Sequence, residues 1–263
     1  MRTLDGRVAI VTGASSGIGR AVAYDLCREG ACVVINARRR GRLDDFQSEV
    51  AGHLGDDAAD RIAVCAGDAS EPDTIEAMFT TAWESFESEA DLVVVNAGRG
   101  LRGSVLTSDE DEWREMIETN YIGAARLMRA AASRMIQDLE QETNWQQAAH
   151  DIVVLGSNVG RHISPFSSMY GSTKFAVHAL TEALRRELAP QGIRVTLIEP
   201  GIVSTEFQQV AGYDDSLTKG FHDKFGPLLT PDDVARCISF ATGLPPQVHL
   251  CDMLIRPTRQ EYP

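Results

Sequence analysis

The stretch VAIVTGASSGIGRAV, residues 8–22, decides the fold. It opens with a short apolar, partly β-branched run, so a strand is expected over 7–13. It closes with helical spacing that continues to Gly30, so a helix is expected over 19–30. Between them stand Gly13, Gly17 and Gly19 in the octet TGASSGIG. Glycines at such a turn let the chain reverse tightly and bring backbone N–H groups against an anion at the helix N-terminus. The spacing is Gly-x-x-x-Gly-x-Gly, not the commoner Gly-x-Gly-x-x-Gly, and no Gly-Lys pair follows, which excludes a Walker loop. By itself a glycine-rich turn can be merely a tight loop. Its place between the first strand and the first helix is what gives it weight.

The same alternation of strand and helix continues outward. Apolar runs bounded by turn residues predict strands over 32–37, 61–68, 91–98, 151–157, 193–201 and 248–257, about seven in all with the first. Ser70-Glu71-Pro72-Asp73 reads as a helix start, with Ser70 as the cap and Pro72 in the first turn. Ile75, Met78, Phe79, Ala82, Trp83 and Phe86 then mark one apolar helix face. A further helix begins in TSDEDEWREMIETN, residues 107–120, with its acids where the helix dipole favours them. Strands that are apolar throughout and alternate with helices imply a parallel sheet covered on both faces. The expected architecture is α/β: a single Rossmann-type, doubly wound domain over 1–263, with no repeat and no linker. In such sheets the ligand lies beyond the carboxyl ends of the strands.

The 263 residues carry 38 Asp and Glu against 25 Lys and Arg, a formal charge of -13. That acidity speaks against nucleic acid and against anionic membranes as partners. No run approaches the length of a membrane span, and the first apolar run is too short for a signal peptide and lacks a cleavage site. Five cysteines without a CxxC pair read as reduced side chains of a cytoplasmic protein. Six scattered histidines, with no HExxH and no His/Cys cluster, give the expectation of no catalytic metal.

Against that acidity, NARRRGR (36–42) gathers four arginines. As an isolated basic run it would be a solvated turn. It stands at the end of the second strand, about twenty residues past the glycines, where a dinucleotide site reads the adenosine ribose. An acid there binds the 2′-hydroxyl of NAD, whereas an arginine accommodates the 2′-phosphate of NADP. No acid is present; Arg38 and Arg39 are, and a guanidinium grips a phosphate through paired charge-assisted hydrogen bonds. Arg40 and Arg42 are expected to be solvated. Asp68, ending the third strand, is either an acceptor for an adenine amino group or a helix-capping aspartate. Asn96, Ala97 and Gly98 close the fourth strand, as a close passage for a cofactor or as a plain turn.

Tyr170 and Lys174, in YGSTK, form the most specific pattern. The chain has three lysines and five tyrosines, so a chance pairing at this spacing is improbable. At i and i+4 of a helix the two side chains share a face. An ammonium beside a phenol stabilises phenolate and lowers a pKa ordinarily about 10, which makes the tyrosine usable as acid and base near neutrality. Ser157, at the end of the fifth strand, can reach the same place; alone it would read as a strand-end serine bonded to backbone. A serine hydrolase needs Gly-x-Ser-x-Gly, and here Gly156 directly precedes Ser157, so that motif fails.

With TGASSGIG, NAG, Asn120 in NYIG, Ser157, YGSTK and PGIVST (200–205) in this order, the chain resembles the short-chain dehydrogenases/reductases. The resemblance implies a nicotinamide cofactor and a homotetramer or homodimer. It implies that Tyr170 is the general acid of reduction and the general base of oxidation, that Lys174 lowers the Tyr170 pKa and binds the ribose hydroxyls, and that Ser157 holds the substrate oxygen. Asn120, a poor helix former inside a helix, would hold a relay water, or else make an interhelical hydrogen bond. Cofactor contacts are implied for Gly13, Ser15, Ser16, Gly17, Ile18 and Gly19 in the turn, for Arg38, Arg39, Asp68 and Ala69, and for Asn96, Ala97 and Gly98. Pro200, Gly201, Val203 and Thr205 would orient the nicotinamide carboxamide. More narrowly, ARRRGRL, GSNVGR, IEPGIVSTEF and LPPQVHLCDMLIRPTRQ are similar to NADP-dependent 3-hydroxy acid (serine-type) dehydrogenases.

The expectation is therefore an NADP(H)-dependent oxidoreductase of a small 3-hydroxy acid or its carbonyl counterpart. The alternatives are a reductase of 3-oxoacyl thioesters, a reductase of secondary-metabolite or sugar-derived carbonyls, and a non-catalytic NADP-binding sensor. The sensor has no need of Tyr170, Lys174 and Ser157 together. Arg126, Arg129 and Arg134 could meet an acidic acyl carrier, though the chain's own charge opposes that encounter; salt-bridged helix surface is their other reading. Two segments depart from the family pattern. Residues 137–151 read as a surface extension of a helix. The loop over 206–225 is expected to cover the substrate; any of Lys219, His222 and Lys224 could meet a carboxylate, and each taken singly reads as a solvated residue of the lid.

Overall fold

The computed structural model describes residues 4–141 and 144–262. In chain order the elements are β1 (Val8–Thr12), α1 (Gly17–Arg28), β2 (Cys32–Ala37), α2 (Arg40–Leu54), α3 (Asp56–Ala59), β3 (Ile62–Ala66), α4 (Pro72–Phe86) and β4 (Leu92–Val95). Then follow α5 (Trp113–Ile117), α6 (Ala124–Gln141), β5 (His150–Leu155), α7 (Ser168–Leu188), β6 (Ile193–Pro200), α8 (Phe207–Val210), α9 (Asp215–Phe225), α10 (Pro231–Thr242) and β7 (Asp252–Ile255). Among the described residues seven strands form one parallel sheet, in the order β3-β2-β1-β4-β5-β6-β7. The chain moves outward from β1 to β3, then returns to place β4 on the other side of β1. That reversal leaves a crevice at the carboxyl ends of β1 and β4, because neighbouring crossovers depart to opposite faces.

The strands are apolar on both sides because both sides are covered. Along β1, Ala9 and Val11 pack with Leu26 of α1, Phe46 of α2 and Ile238 of α10. Val8 and Ile10 pack with Met78 of α4, Leu127 of α6 and Val177 of α7. Alternate residues thus feed two cores on opposite faces of one sheet. Beneath the sheet, at the amino ends of the strands, Asp151 receives two hydrogen bonds from Arg194 at 2.8 Å each and one from Arg7 at 2.9 Å. Arg194 also donates to the carbonyls of Thr242, Leu244, Pro245 and Val248, which fastens the end of α10 to the sheet.

Several elements differ from the sequence reading. Strand β2 has the expected bounds, and the others are shorter than the apolar runs; after β1, β4, β5 and β6 the chain turns into the cleft. The cap of α4 is Glu71, not Ser70, and the Ser70 hydroxyl instead donates to Asp68 at 2.7 Å. Trp83 is 56% exposed although Met78, Phe79 and Ala82 are buried; eight residues past Ile75 it has rotated roughly 80° off the buried face. The expected helix over 107–120 is a broken one: a 3-10 turn at Glu110–Glu112, α5, and a π-helical turn at Glu118–Gly123 leading into α6. The polar extension over 137–151 is helical only to Gln141. Residues 142–143 lie outside the described part, and Trp145 beyond them packs on Gly192, where an added Cβ would meet its ring at 2.3 Å. No helix among the described residues is long and apolar enough to cross a membrane.

Candidate active site

The carboxyl ends of β1, β4, β5 and β6 open on a cleft of about 1240 Å³. Gly13, Ser16, Gly17 and Ile18 line it from the β1–α1 turn, and Asn96, Ala97 and Gly98 from the end of β4. Ser157, Tyr170 and Lys174 line it from β5 and α7, and Pro200, Gly201, Val203 and Thr205 from the end of β6. Gly13 has φ 70°, a conformation that favours glycine. A Cβ on Gly19 would stand 2.4 Å from the Asn96 amide nitrogen and 2.5 Å from the Gly13 carbonyl. The two loops are therefore pressed together. Thr12, which the sequence reading passed over, pins them: its hydroxyl accepts the N–H groups of Asn96 and Ala97 at 3.1 Å each, and the Asn96 side chain donates back to the Thr12 carbonyl at 2.7 Å.

Tyr170 stands on the first turns of α7, its ring 5.5 Å from that of Phe207. The Ser157 hydroxyl donates to the Asn158 side chain and accepts the Val159 N–H, at 3.3 Å each, and stands close enough to the phenol to favour its ionised form by hydrogen bonding. One turn on, the Lys174 ammonium is buried, donates to the Leu155 carbonyl at 2.7 Å and lies 5.9 Å from the Tyr170 ring centre. The spacing thus brings the three side chains together as expected, but the electrostatic expectation needs correcting. Burial pushes the Tyr170 phenol above its ordinary range, and only the Ser157 hydrogen bond works against that. Burial also pushes Lys174 down, to about 8. The ammonium faces a strand carbonyl here, not the phenol oxygen, so desolvation outweighs its pull on the tyrosine.

Asn120 is buried in the π-helical turn and takes the interhelical role. Its amide donates to the Arg99 carbonyl at 2.8 Å and to Thr173 of α7 at 3.2 Å, while its oxygen accepts the Arg99 N–H at 2.8 Å. It fastens the loop after β4 to α7. His178, also unnoticed in the sequence, lies one turn past Lys174; its Nε2 accepts the Ser157 N–H at 3.2 Å.

Toward β2 and β3 the structure places Arg39 against the glycine turn, its guanidinium 3.3 Å from the Ser15 hydroxyl. Arg38 is exposed, 3.6 Å from Glu115. Asp68 accepts both the N–H and the hydroxyl of Ser70, and these bonds with the nearby Arg38 hold its carboxyl below the usual range even though burial opposes them. It serves as the local turn cap, with Ala69 inside that turn. Arg42 is not simply solvated: it grips Glu206, at the start of the covering loop, at 2.8 and 3.1 Å. Arg126 and Arg134 are salt-bridged helix surface, to Glu118 and Glu76.

The covering loop forms α8 and α9. Lys219 pairs with Asp223 on the outside, and His222 is exposed. Lys224 is exposed as well, and it also lines the cleft, paired with Glu261 at 2.8 Å. Arg102 closes the other side, bound to Asp214 at 2.8 Å. Between these cations the outer wall is aromatic, from Phe166, Phe207, Tyr213 and Phe221.

The profile of the family described as "short chain dehydrogenase" matches residues 7–215. An "uncharacterized oxidoreductase" of Staphylococcus saprophyticus is 33% identical over 262 residues, 99% of each chain. Among solved structures, a 3-ketoacyl-(acyl-carrier-protein) reductase from Brucella melitensis complexed with NADH superposes with TM-score 0.84 at 26% identity, over 97% of this chain and 99% of that one. A serine dehydrogenase in a closed form with NADP+ gives 0.81 at 27% identity, over 97% and 96%.

Proposed function

The chain belongs to the short-chain dehydrogenase family, and from that premise we propose that it transfers a hydride between NADP(H) and a small hydroxy or carbonyl substrate, a 3-hydroxy acid in the first instance. Oxidoreduction is the coarse activity that membership carries. The observation behind the finer reading is the convergence of Ser157, Tyr170 and Lys174 on one cleft beside the β1–α1 turn. The chain's residues fit a dinucleotide. Helix α1 starts at Gly17 with no side-chain cap and no acid in its first turn, so its leading N–H groups are suited to a pyrophosphate. Support for NADP over NAD comes from Arg38 and Arg39 directly after β2, guanidiniums suited to a 2′-phosphate, with no acid at the end of β2 to bind a free ribose hydroxyl.

When bound, the nicotinamide supplies or accepts the hydride. The chain's part is position and protons. Ser157 donates a hydrogen bond to the substrate oxygen and holds it at Tyr170. The phenol, kept protonated by burial, gives its proton to that oxygen during reduction and takes it back during oxidation. Lys174, still an ammonium below about pH 8, favours the phenolate as it forms and offers donors to ribose hydroxyls. Asn120 keeps the passage at Asn96, Ala97 and Gly98 in register with α7. The backbone around Ser15, Ser16 and Ile18 and the stretch from Pro200 to Thr205 frame the two ends of the cofactor. In the substrate lobe, Lys224 and Arg102 are the cations a carboxylate could meet. The aromatic outer wall favours a second reading, a reductase of bulkier carbonyls. The same reading takes the protein to be cytoplasmic and a homotetramer or homodimer.

The test is absorbance at the reduced-nicotinamide band with NADP⁺ and serine, 3-hydroxypropanoate, 3-hydroxybutanoate and their uncharged analogues, with Tyr170→Phe as control. Turnover of the acids, lost with the analogues and in the variant, is expected. Activity on uncharged alcohols alone would sink the hydroxy acid, and no activity on any of them or on bulkier carbonyls would sink hydride transfer.

A further inference from the structure

His178 is two turns past Tyr170 and one past Lys174 on the same face of α7. It does not line the cleft; it lies beneath the turn that carries Ser157. Its Nε2 accepts the Ser157 backbone N–H at 3.2 Å. A Cβ on Gly156 would stand 2.3 Å from Nε2, and one on Gly160 would stand 2.5 Å from the ring. The two glycines flanking Ser157 are thus the space that the imidazole occupies. On its far side, Nδ1 is 3.7 Å from Glu199 of β6, a carboxylate with no exposed surface. Arg161 grips that carboxylate with two nitrogens, at 2.8 and 2.5 Å, and also lies 3.5 Å from Asp252 of β7.

We propose that His178 is a positioning residue: by accepting the Ser157 amide it fixes the Ser157 hydroxyl against Tyr170, with Glu199 and Arg161 fixing the ring from behind. The proposal rests on the hydride-transfer reading above. Its logic is that of a hydrogen bond with one possible direction. The Ser157 N–H is a donor, so the nitrogen facing it must be bare; an imidazolium, a donor at both nitrogens, would have to let go. The charged groups around the ring are Lys174 on α7, Arg161 after β5, Glu199 on β6 and, behind them, Asp252 on β7. Burial first, then Lys174 and Arg161, push the His178 pKa down to about 4. The hold therefore persists through neutral pH. Between about 4 and the ordinary 6.5 an unfolded chain binds the proton that the folded one refuses, so the contribution of this site to stability falls as the solution is acidified.

Three variants and one spectrum test the idea. His178→Leu should lower kcat about tenfold, the scale of one lost hydrogen bond at the transition state, with the NADPH affinity read by fluorescence unchanged. His178→Gln, whose carbonyl can stand near the lost Nε2, should recover most of that kcat. Arg161→Gln leaves the Glu199 charge facing the ring, so the acid limb of the kcat profile should move toward neutrality. Nitrogen-15 histidine spectra of the wild type near about pH 6 should show a neutral ring with bare Nε2. A Leu variant with kcat within about twofold of wild type, a Gln variant no better than Leu, or a protonated Nε2 would overturn the proposal. If the Leu variant does not fold, the Gln variant against wild type and the Arg161→Gln profile decide. A wild type without turnover would defeat the hydride-transfer reading instead, and the spectrum would still decide whether His178 holds the Ser157 amide.

Discussion

Burial of Lys174 opposes its own charge. In an unfolded chain the amine titrates at its ordinary 10.5, and in the folded protein at about 8. Below about pH 8 both states are protonated, and the folded state carries the full cost of a buried ammonium, about 3 kcal/mol at most. Between 8 and 10.5 only the unfolded chain binds the proton, so stability gains with rising pH. Lys174→Met should therefore abolish turnover while raising the urea midpoint at neutral pH, by a margin that shrinks as the pH is raised through that window. Equal midpoints at neutral pH would mean that the Leu155 carbonyl compensates the charge. At the other end of the cleft, Arg38→Asp combined with Arg39→Ala should weaken NADPH binding by at least about tenfold, the loss of one charge-assisted pair, and NADH binding far less; equal losses in a fluorescence titration would take the 2′-phosphate away from these arginines. Tyr170, Lys174 and Ser157 were legible in the sequence because one helical spacing and one strand end define them. His178 sits on the same helix face, one turn on, but its meaning depends on Gly156, Gly160 and Glu199, which only the folded chain brings to it.

Among the elements, β5 and β6 are tied at their amino ends by ions and at their carboxyl ends by chemistry. Arg194 is 4% exposed and binds Asp151 while satisfying four carbonyls at the end of α10 and after it. Removing Arg194 leaves the buried Asp151 with Arg7 but without its paired grip, and leaves several carbonyls without their donor. Arg194→Met should cost about 3–5 kcal/mol in denaturant unfolding, and a loss below about 1 kcal/mol would show that water takes its place. The alternation of strand and helix could be read from the apolar runs, since strands covered on both faces are mostly apolar, with a few buried polar residues such as Asp151, Arg194 and Glu199 among them. The broken helix around Asn120 could not. In its π-helical turn Asn120 bonds Arg99 and Thr173 on other elements, partners that only the folded chain brings to it.

At the scale of the molecule the sheet has two edges, β3 and β7. The β7 end presents large apolar side chains: Leu254 is 38% exposed, and Phe240 on the preceding α10 is 62% exposed. Exposed apolar groups beside a strand edge are where chains associate. Sedimentation should show a species heavier than the 28.7 kDa chain, and Phe240→Lys with Leu254→Lys should return it toward that mass. A heavier species that survives both changes would move the interface to another face.

The grip of Arg42 on Glu206 has a practical consequence for redesign. It joins the arginine cluster, to which the proposed function assigns cofactor choice, to the first residue of the segment over the cleft. Anyone exchanging the cluster wholesale to change cofactor preference would therefore also loosen the entrance for the other reactant, and would read a change in the second as a failure of the first. The two properties become separately adjustable only if Arg42 is left in place and the exchange is confined to Arg38 and Arg39.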